Sequence, residues 1–512
     1  MQTRFLAART RTQEVRRSPM KSQQSQRRQW PGLLRNFLCT LFTGFIYLST
    51  LAGARAQSWT LAWSDEFNGA TVGPPDITVW NFDLGNSGFG NNELETYCGP
   101  PGYKNNPPAC PNTFSTTTSN AYIDGNGHLV IQAIQSGGTW FSARMNTNMT
   151  PQKTFQYGRI EASEKLPVGA GLWPAFWALG SNFASVTWPG CGEMDFMENV
   201  PASAGLGPTK ISSTIHGPTY YGSNGLSQIY TFPSKDVTSF HTYGAIWSPF
   251  MVQFYVDDPA NVFSIHTATD VPGGPTQWAF NHPFVLITNL AVGGTWPGSP
   301  DSTTPNPAVM MVDYVRQYRA TAVPSPNLGN PAAITLAAGA DSGSTTVDLS
   351  SQSGTGRVYL NCSTSTPNFS CSINTGYALN SNVVDFTSDS TATATVTVNL
   401  IAYAASMPVE NLFIPKPPGR AAIALAGIMV CVLVFSKEIS RRGRPARNWA
   451  PALALSGLIL AGAIVLSCGG SSSSPPVSTP PSYYSVTVNA YTVSGTGTAP
   501  DATVNIQMVV FH

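Results

Sequence analysis

The chain has 512 residues, only 10% of them charged, and a formal net charge of +1. Ten of its 27 Lys/Arg but only one of its 26 acids lie in residues 1–56, so the remainder carries a net −8, which excludes a nucleic-acid surface and suits a neutral ligand such as a polysaccharide. With 46 Gly, 41 Pro and abundant Ser and Thr, the composition excludes a helical bundle, and the length allows two or more domains.

Residues 1–56 read as an export signal. A basic stretch precedes the apolar run Phe37 to Ala52, and Ala54-Arg-Ala56 supplies an A-x-A cleavage pattern. In an exported chain, Cys98–Cys110 and Cys362–Cys371 are expected as local disulfides. Cys191 has no obvious partner and is expected to be a small buried residue. From 57 to 319 short β-like runs alternate with Gly/Pro/Asn turns, for example Val252-Gln-Phe-Tyr-Val-Asp-Asp and Met311-Val-Asp-Tyr-Val-Arg-Gln-Tyr. Many strands at close spacing, with no long amphipathic helix, predict an all-β sandwich.

The most informative stretch is Gly192-Glu193-Met-Asp195-Phe-Met-Glu198. Three carboxylates fall within six residues of an otherwise apolar strand. Strand alternation puts Glu193 and Asp195 on one face, and Glu198 is one residue out of step. A β-bulge between Asp195 and Glu198 would return Glu198 to that face. Like charges so crowded resist desolvation, which a structural core would avoid. Retaining sugar hydrolysis needs such a set, because one carboxyl attacks the anomeric carbon while another, about 5 Å away, protonates the leaving oxygen.

Several motifs accompany this strand in a fixed order. They include Trp63-Ser-Asp-Glu-Phe-Asn-Gly69, Gly90-Asn-Asn-Glu-Leu94, Tyr157-Gly-Arg-Ile-Glu161 and Leu172-Trp-Pro-Ala-Phe-Trp177. His216-Gly217, Asn289-Leu-Ala-Val-Gly-Gly-Thr-Trp-Pro-Gly298 and Val312-Asp-Tyr-Val-Arg316 follow. Together they resemble glycoside hydrolase family 16, in its bacterial laminarinase-like branch of endo-β-1,3-glucanases. The resemblance implies a jelly-roll β-sandwich with an open cleft. It implies Glu193 as nucleophile, Glu198 as general acid/base and Asp195 as the group orienting Glu193. It places His216 in the cleft, makes Trp173, Trp177 and Trp188 sugar-stacking platforms, with Trp296 a further aromatic in a loop, and makes Asn92 and Arg159 contacts to hydroxyls. It implies no cofactor for the reaction and a structural calcium at Asp313, aided by backbone near Glu66. Where the family often has a basic residue after Gly-Arg-Ile-Glu-Ala, this chain has Ser163 and Glu164, so the preferred linkage is open. Mixed β-1,3/1,4-glucan, galactan-type polymers and transglycosylation use the same carboxylates. A non-catalytic glucan-binding protein or a surface structural protein are the competing classes.

Beyond this domain, residues 320–331 read as a Pro-rich linker. Residues 332–405 resemble a small immunoglobulin-like β module. Residues 420–468 hold two apolar runs flanking a basic loop, which reads as a two-helix membrane hairpin with its loop in the cytoplasm. Residues 469–482 form a Ser/Pro linker. The tail 483–512 alternates like strands, and either completes the immunoglobulin-like module or pairs with a neighbour. The expected protein is exported, membrane-anchored and monomeric in its catalytic domain, with a polysaccharide as its partner.

Overall fold

The computed structural model describes residues 57–149, 153–387, 390–401, 480–493 and 498–511, all within one compact unit. The expected export signal, the expected membrane hairpin and most of the expected Ser/Pro linker lie outside these residues. Among the described residues no helix is long and apolar enough to cross a membrane.

The chain is all-β. Its first half is a sandwich of a ten-stranded and a seven-stranded sheet. The seven-stranded sheet runs in the order Leu226–Thr231, Lys210–His216, Glu193–Glu198, Leu172–Gly180, Phe284–Val292, Arg144–Asn146 and Asn81–Asp83. All its pairings are antiparallel. Period-two alternation explains the layering. Along Leu172–Gly180, Leu172, Phe176 and Ala178 join the core, while Trp173 and Trp177 are only half-buried on the outer face. Phe196, Phe254, Phe284 and Trp247 fill the space between the sheets.

The second half is a smaller sandwich of four and five strands around Val347, Val358, Leu360, Val396, Val488 and Ile506. The tail completes it. Ser482–Tyr491 pairs with Arg357–Thr364, and Ala502–Val510 pairs with Ser482–Tyr491 and with Ile334–Leu336. Residues 402–479 are therefore an insertion within one module. Ile401, the last described residue before it, donates its N–H to Asn368 O at 2.9 Å, and Ser365 N–H donates to Ser485 O, beyond its other side, at 2.9 Å.

The expected linker at 320–331 is largely taken up by strands. Ala308–Ala322 runs through its start, and Pro326–Leu328 pairs with Leu349–Ser351. The reason is a shared apolar surface. Ile246, Met251, Tyr255 and Ile265 on the outside of the ten-stranded sheet form one buried cluster with Tyr359, Val383 and Tyr491 of the module. Arg357 adds a bond from Nη1 to Gln253 Oε1 at 3.3 Å.

Glu164 hangs between the two large sheets with no exposed surface, its nearest partner being Thr288 Oγ1 at 3.4 Å. Ser163 is buried on the neighbouring strand face. Neither residue reaches the outer face of the seven-stranded sheet. Burial pushes the Glu164 carboxyl from its ordinary 4.5 up to about 8. The folded chain then keeps a proton that the unfolded chain releases above pH 4.5, so stability falls as pH rises from about 4.5 to about 8. Glu164→Gln is expected to raise the melting temperature at pH 8 by roughly 5 °C and to change it little at pH 4.5. An equal change at both pH values in a thermal melt would contradict this.

Candidate active site

Gly192 opens the acid strand at φ +75°, and a Cβ there would lie 2.7 Å from Ala279 O, so only glycine fits. Glu193 then pairs with Leu179 on one side and His216 on the other, and Asp195 pairs with Trp177 and Thr214. Past Asp195 the register slips. Met197 faces Phe176 and Glu198 faces Ala175, which leaves Phe196 as the extra residue. Phe196 and Met197 both enter the core. Two consecutive residues point inward, and Glu198 returns to the outer face beside Glu193 and Asp195.

The neighbours fix the electrostatics. His216 Nε2 lies 3.1 Å from Asp195 Oδ2 and 3.9 Å from Glu193 Oε1. These three residues are close enough to share a cation as well as protons. Trp173 Nε1 donates to Glu198 Oε1 at 3.1 Å. Burial pushes Glu193 up to about 8, and Asp195 adds to the shift, while His216 and Arg144 pull it back. Burial likewise raises Asp195 to about 8. Glu198 is raised well above its ordinary value, first by burial, then by the charges of Asp195 and Glu193. With the Glu193 and Asp195 carboxyls both raised to about 8, the cluster holds fewer than three negative charges at neutral pH.

The other predicted residues separate into two groups. Trp173, Trp177, Trp188, His216 and Asn92 stand on or around this face. Trp188 is 45% exposed and meets Tyr221 edge-on at 5.5 Å, leaving ring surface for a ligand. Trp177 is more constrained. Its Nε1 donates to Asn289 Oδ1 at 2.8 Å, and the Arg144 guanidinium covers its ring at 4.7 Å. Trp296 meets Trp173 edge-on at 5.4 Å. Asn92 gives its amide to Thr295 Oγ1 at 3.0 Å, which ties the 88–94 loop to the 293–298 loop.

Arg159 is corrected. It belongs to Gly158–Lys165 in the ten-stranded sheet, where its guanidinium lies over Tyr318 at 3.8 Å and pairs with Glu161 at 3.3 Å. That is the side of the sandwich away from the acids. Asp313, the expected calcium ligand, is half-buried in Ala308–Ala322, and the expected further donors are backbone carbonyls, which calcium accepts. The Glu66 side chain itself is engaged by both Nε and Nη2 of Arg316. Cys98 is joined to Cys110 and Cys362 to Cys371. Cys191 is buried and unpaired, with its thiol pushed up to about 11 by burial.

Sequence reasoning missed Arg144 and the relay behind Trp177. In that relay Asn289 Nδ2 donates to Tyr97 OH at 3.1 Å, and Tyr97 OH donates to Glu93 Oε2 at 2.9 Å. Glu93 and Asn289 both sat inside quoted motifs, which was the available signal. Arg144 sat in a three-residue strand with no pattern around it.

Residues 111–316 match the model of the family described as glycosyl hydrolases family 16. The chain is 34% identical over 294 residues to a beta-glucanase of Rhodothermus marinus, covering 55% of this chain and 93% of that protein. It is 31% identical over 284 residues to a glucan endo-1,3-beta-glucosidase of Cryptopygus antarcticus, covering 51% and 92%. Among solved structures, an endo-beta-1,3-glucanase from Pyrococcus furiosus is 39% identical over 52% of this chain and 96% of its own, with a TM-score of 0.43. These similarities take in about half of this chain.

Because the charge of Asp195, after burial, does most to raise Glu198, Asp195→Asn is expected to lower the Glu198 pKa. A carbon-13 NMR titration of labelled glutamate carboxyls reads this directly. An unchanged or higher value would contradict it.

Proposed function

The chain belongs to glycosyl hydrolase family 16, and from that membership we propose that it is a retaining endo-β-1,3-glucanase acting on laminarin-type β-glucans. It is a glycoside hydrolase; the linkage, the stereochemistry and the residue roles are this proposal's content. The observation that carries it is the bulge that sets Glu193, Asp195 and Glu198 on one face. Glu193 attacks the anomeric carbon. His216 and Arg144 both favour its charge, which suits a nucleophile. Glu198 gives its proton to the leaving oxygen and later takes one from the water that releases the sugar. Its strongly raised pKa supplies the proton at neutral pH. The indole N–H of Trp173 occupies one of its oxygens and leaves the other for the glycosidic oxygen. Asp195 holds the Glu193 carboxyl in place and limits its charge until the sugar arrives. Trp188 and Trp173 offer ring surface to glucose units, which bind through their apolar faces.

The β-1,3 preference is supported by the endo-1,3-beta-glucosidase of Cryptopygus antarcticus, which this chain matches over 92% of its length. A non-catalytic glucan-binding protein has no use for three desolvated acids, so their presence favours catalysis. We further propose that the protein is exported and held at a membrane by residues 420–468. The two apolar runs flanking a basic loop within these residues support this. The small sandwich serves as the immunoglobulin-like spacer between anchor and catalytic half.

Glu193→Gln is expected to lower hydrolysis by roughly three orders of magnitude or more while leaving the melting temperature near the parent's. Reducing-sugar release from laminarin, mixed β-1,3/1,4-glucan and a galactan is expected to be fastest on laminarin. Cleavage by Glu193→Gln near the parent rate would remove the nucleophile assignment, and a galactan preference would remove the substrate.

A further inference from the structure

A cavity of about 490 Å³ lies where Leu226–Thr231 ends the seven-stranded sheet. Gly225, Ser227 and His266 of the catalytic half form part of its wall. Leu379, Asn380 and Ser381 of the C-terminal module form another part. The cavity is connected to the acids by a row of side chains crossing neighbouring strands. Asp195 pairs with Thr214, Thr214 pairs with Ser227, and the Thr214 and Ser227 hydroxyls are 2.9 Å apart. Gly225 packs directly on His216, where a Cβ would come within 2.4 Å of the imidazole. Two interstrand spacings separate the acid strand from this edge, about 10 Å. A polymer crossing the acids in this direction reaches the cavity after more than one sugar ring.

The module loop is held in place. Asn380 Nδ2 donates to Asp270 Oδ2 at 2.6 Å, Asn382 N–H donates to Asn380 Oδ1 at 2.9 Å, and Thr375 N–H donates to Ser381 O at 2.9 Å. The lining has the chemistry of a sugar site. Hydroxyls and an amide supply hydrogen bonds, and Leu379, 42% exposed, supplies an apolar contact. His266 bonds Ser264 Oγ at 3.0 Å, and burial pushes its pKa down to about 4, so it is neutral at neutral pH. The wall carries no cation, which disfavours an anionic ligand.

We propose that this cavity is a distal subsite for the same glucan chain that crosses the acids, with the C-terminal module supplying one of its walls. The inference rests on the β-glucan reading above. It makes the module part of substrate recognition and not a spacer alone.

The test uses the full chain with Glu193→Gln, which binds without turnover. Calorimetric titration compares a short β-1,3-linked glucose oligomer with one long enough to span acids and cavity. The long oligomer is expected to bind about tenfold more tightly. Adding Ser381→Trp, which fills the cavity from an exposed loop position, is expected to abolish that difference without weakening the short oligomer. Leu379→Ala is expected to reduce the difference in part, and serves as the reading if the tryptophan variant does not melt like its parent. An undiminished length preference in these variants overturns the subsite. Failure of both oligomers to bind Glu193→Gln overturns the β-glucan reading, and the subsite with it.

Discussion

One extra residue in one strand organises this molecule. A pleated strand delivers side chains to a given face at every second position. Glu193 and Asp195 obey that rule, and position 197 would be next, but a methionine stands there. Because Phe196 and Met197 both turn into the core, Glu198 regains the outer face one step late. The bulge is held by what lies beneath it. Phe196 packs at 4.9 Å against Phe176 and at 6.3 Å against Phe254 of the opposite sheet, and Ser213 Oγ–H donates to Phe196 O at 2.7 Å. Straightening the strand would pull a buried ring or a buried methionine from this packing, at a cost of a few kcal/mol. The apolar interior thus enforces the proximity of acids that electrostatics alone would drive apart.

Much of this was legible in the sequence, for a local reason. The three acids, their strand and the bulge are separated by single residues, so alternation and one misstep were enough to infer them. The tryptophans of Leu172–Gly180 were legible in the same way. Arg159 was not. Alternation says that a side chain faces outward from its sheet, but not which of two sheets it belongs to, and Gly158–Lys165 lies in the sheet away from the acids. The Trp177 relay was hidden because Glu93, Tyr97 and Asn289 come together from segments nearly two hundred residues apart.

The C-terminal half shows the same division between local and distant signals. Each strand of the tail was readable from its alternation, but its partner was not, because 402–479 separates the two parts of the module. One clue to the contact between halves was present. Met251-Val-Gln-Phe-Tyr-Val256 has no polar face, and all six residues are buried. Such a strand must be covered on both sides. The module provides the cover, with Tyr359 and Tyr491 on the outer surface of the sheet. The catalytic half and the module share a core, so the module's position on the outer face of the ten-stranded sheet is set by packing and not by a tether.

The anomeric configuration of the first product is the most direct measure of whether Glu193 and Glu198 work on opposite sides of one glycosidic bond as nucleophile and acid. Proton NMR during the first minutes of laminarin hydrolysis by the full chain reads it before mutarotation blurs the signal. The β-anomer is expected first, with the α-anomer growing in only slowly. An α-anomer formed first would mean direct attack by water, and the nucleophilic role of Glu193 would be lost.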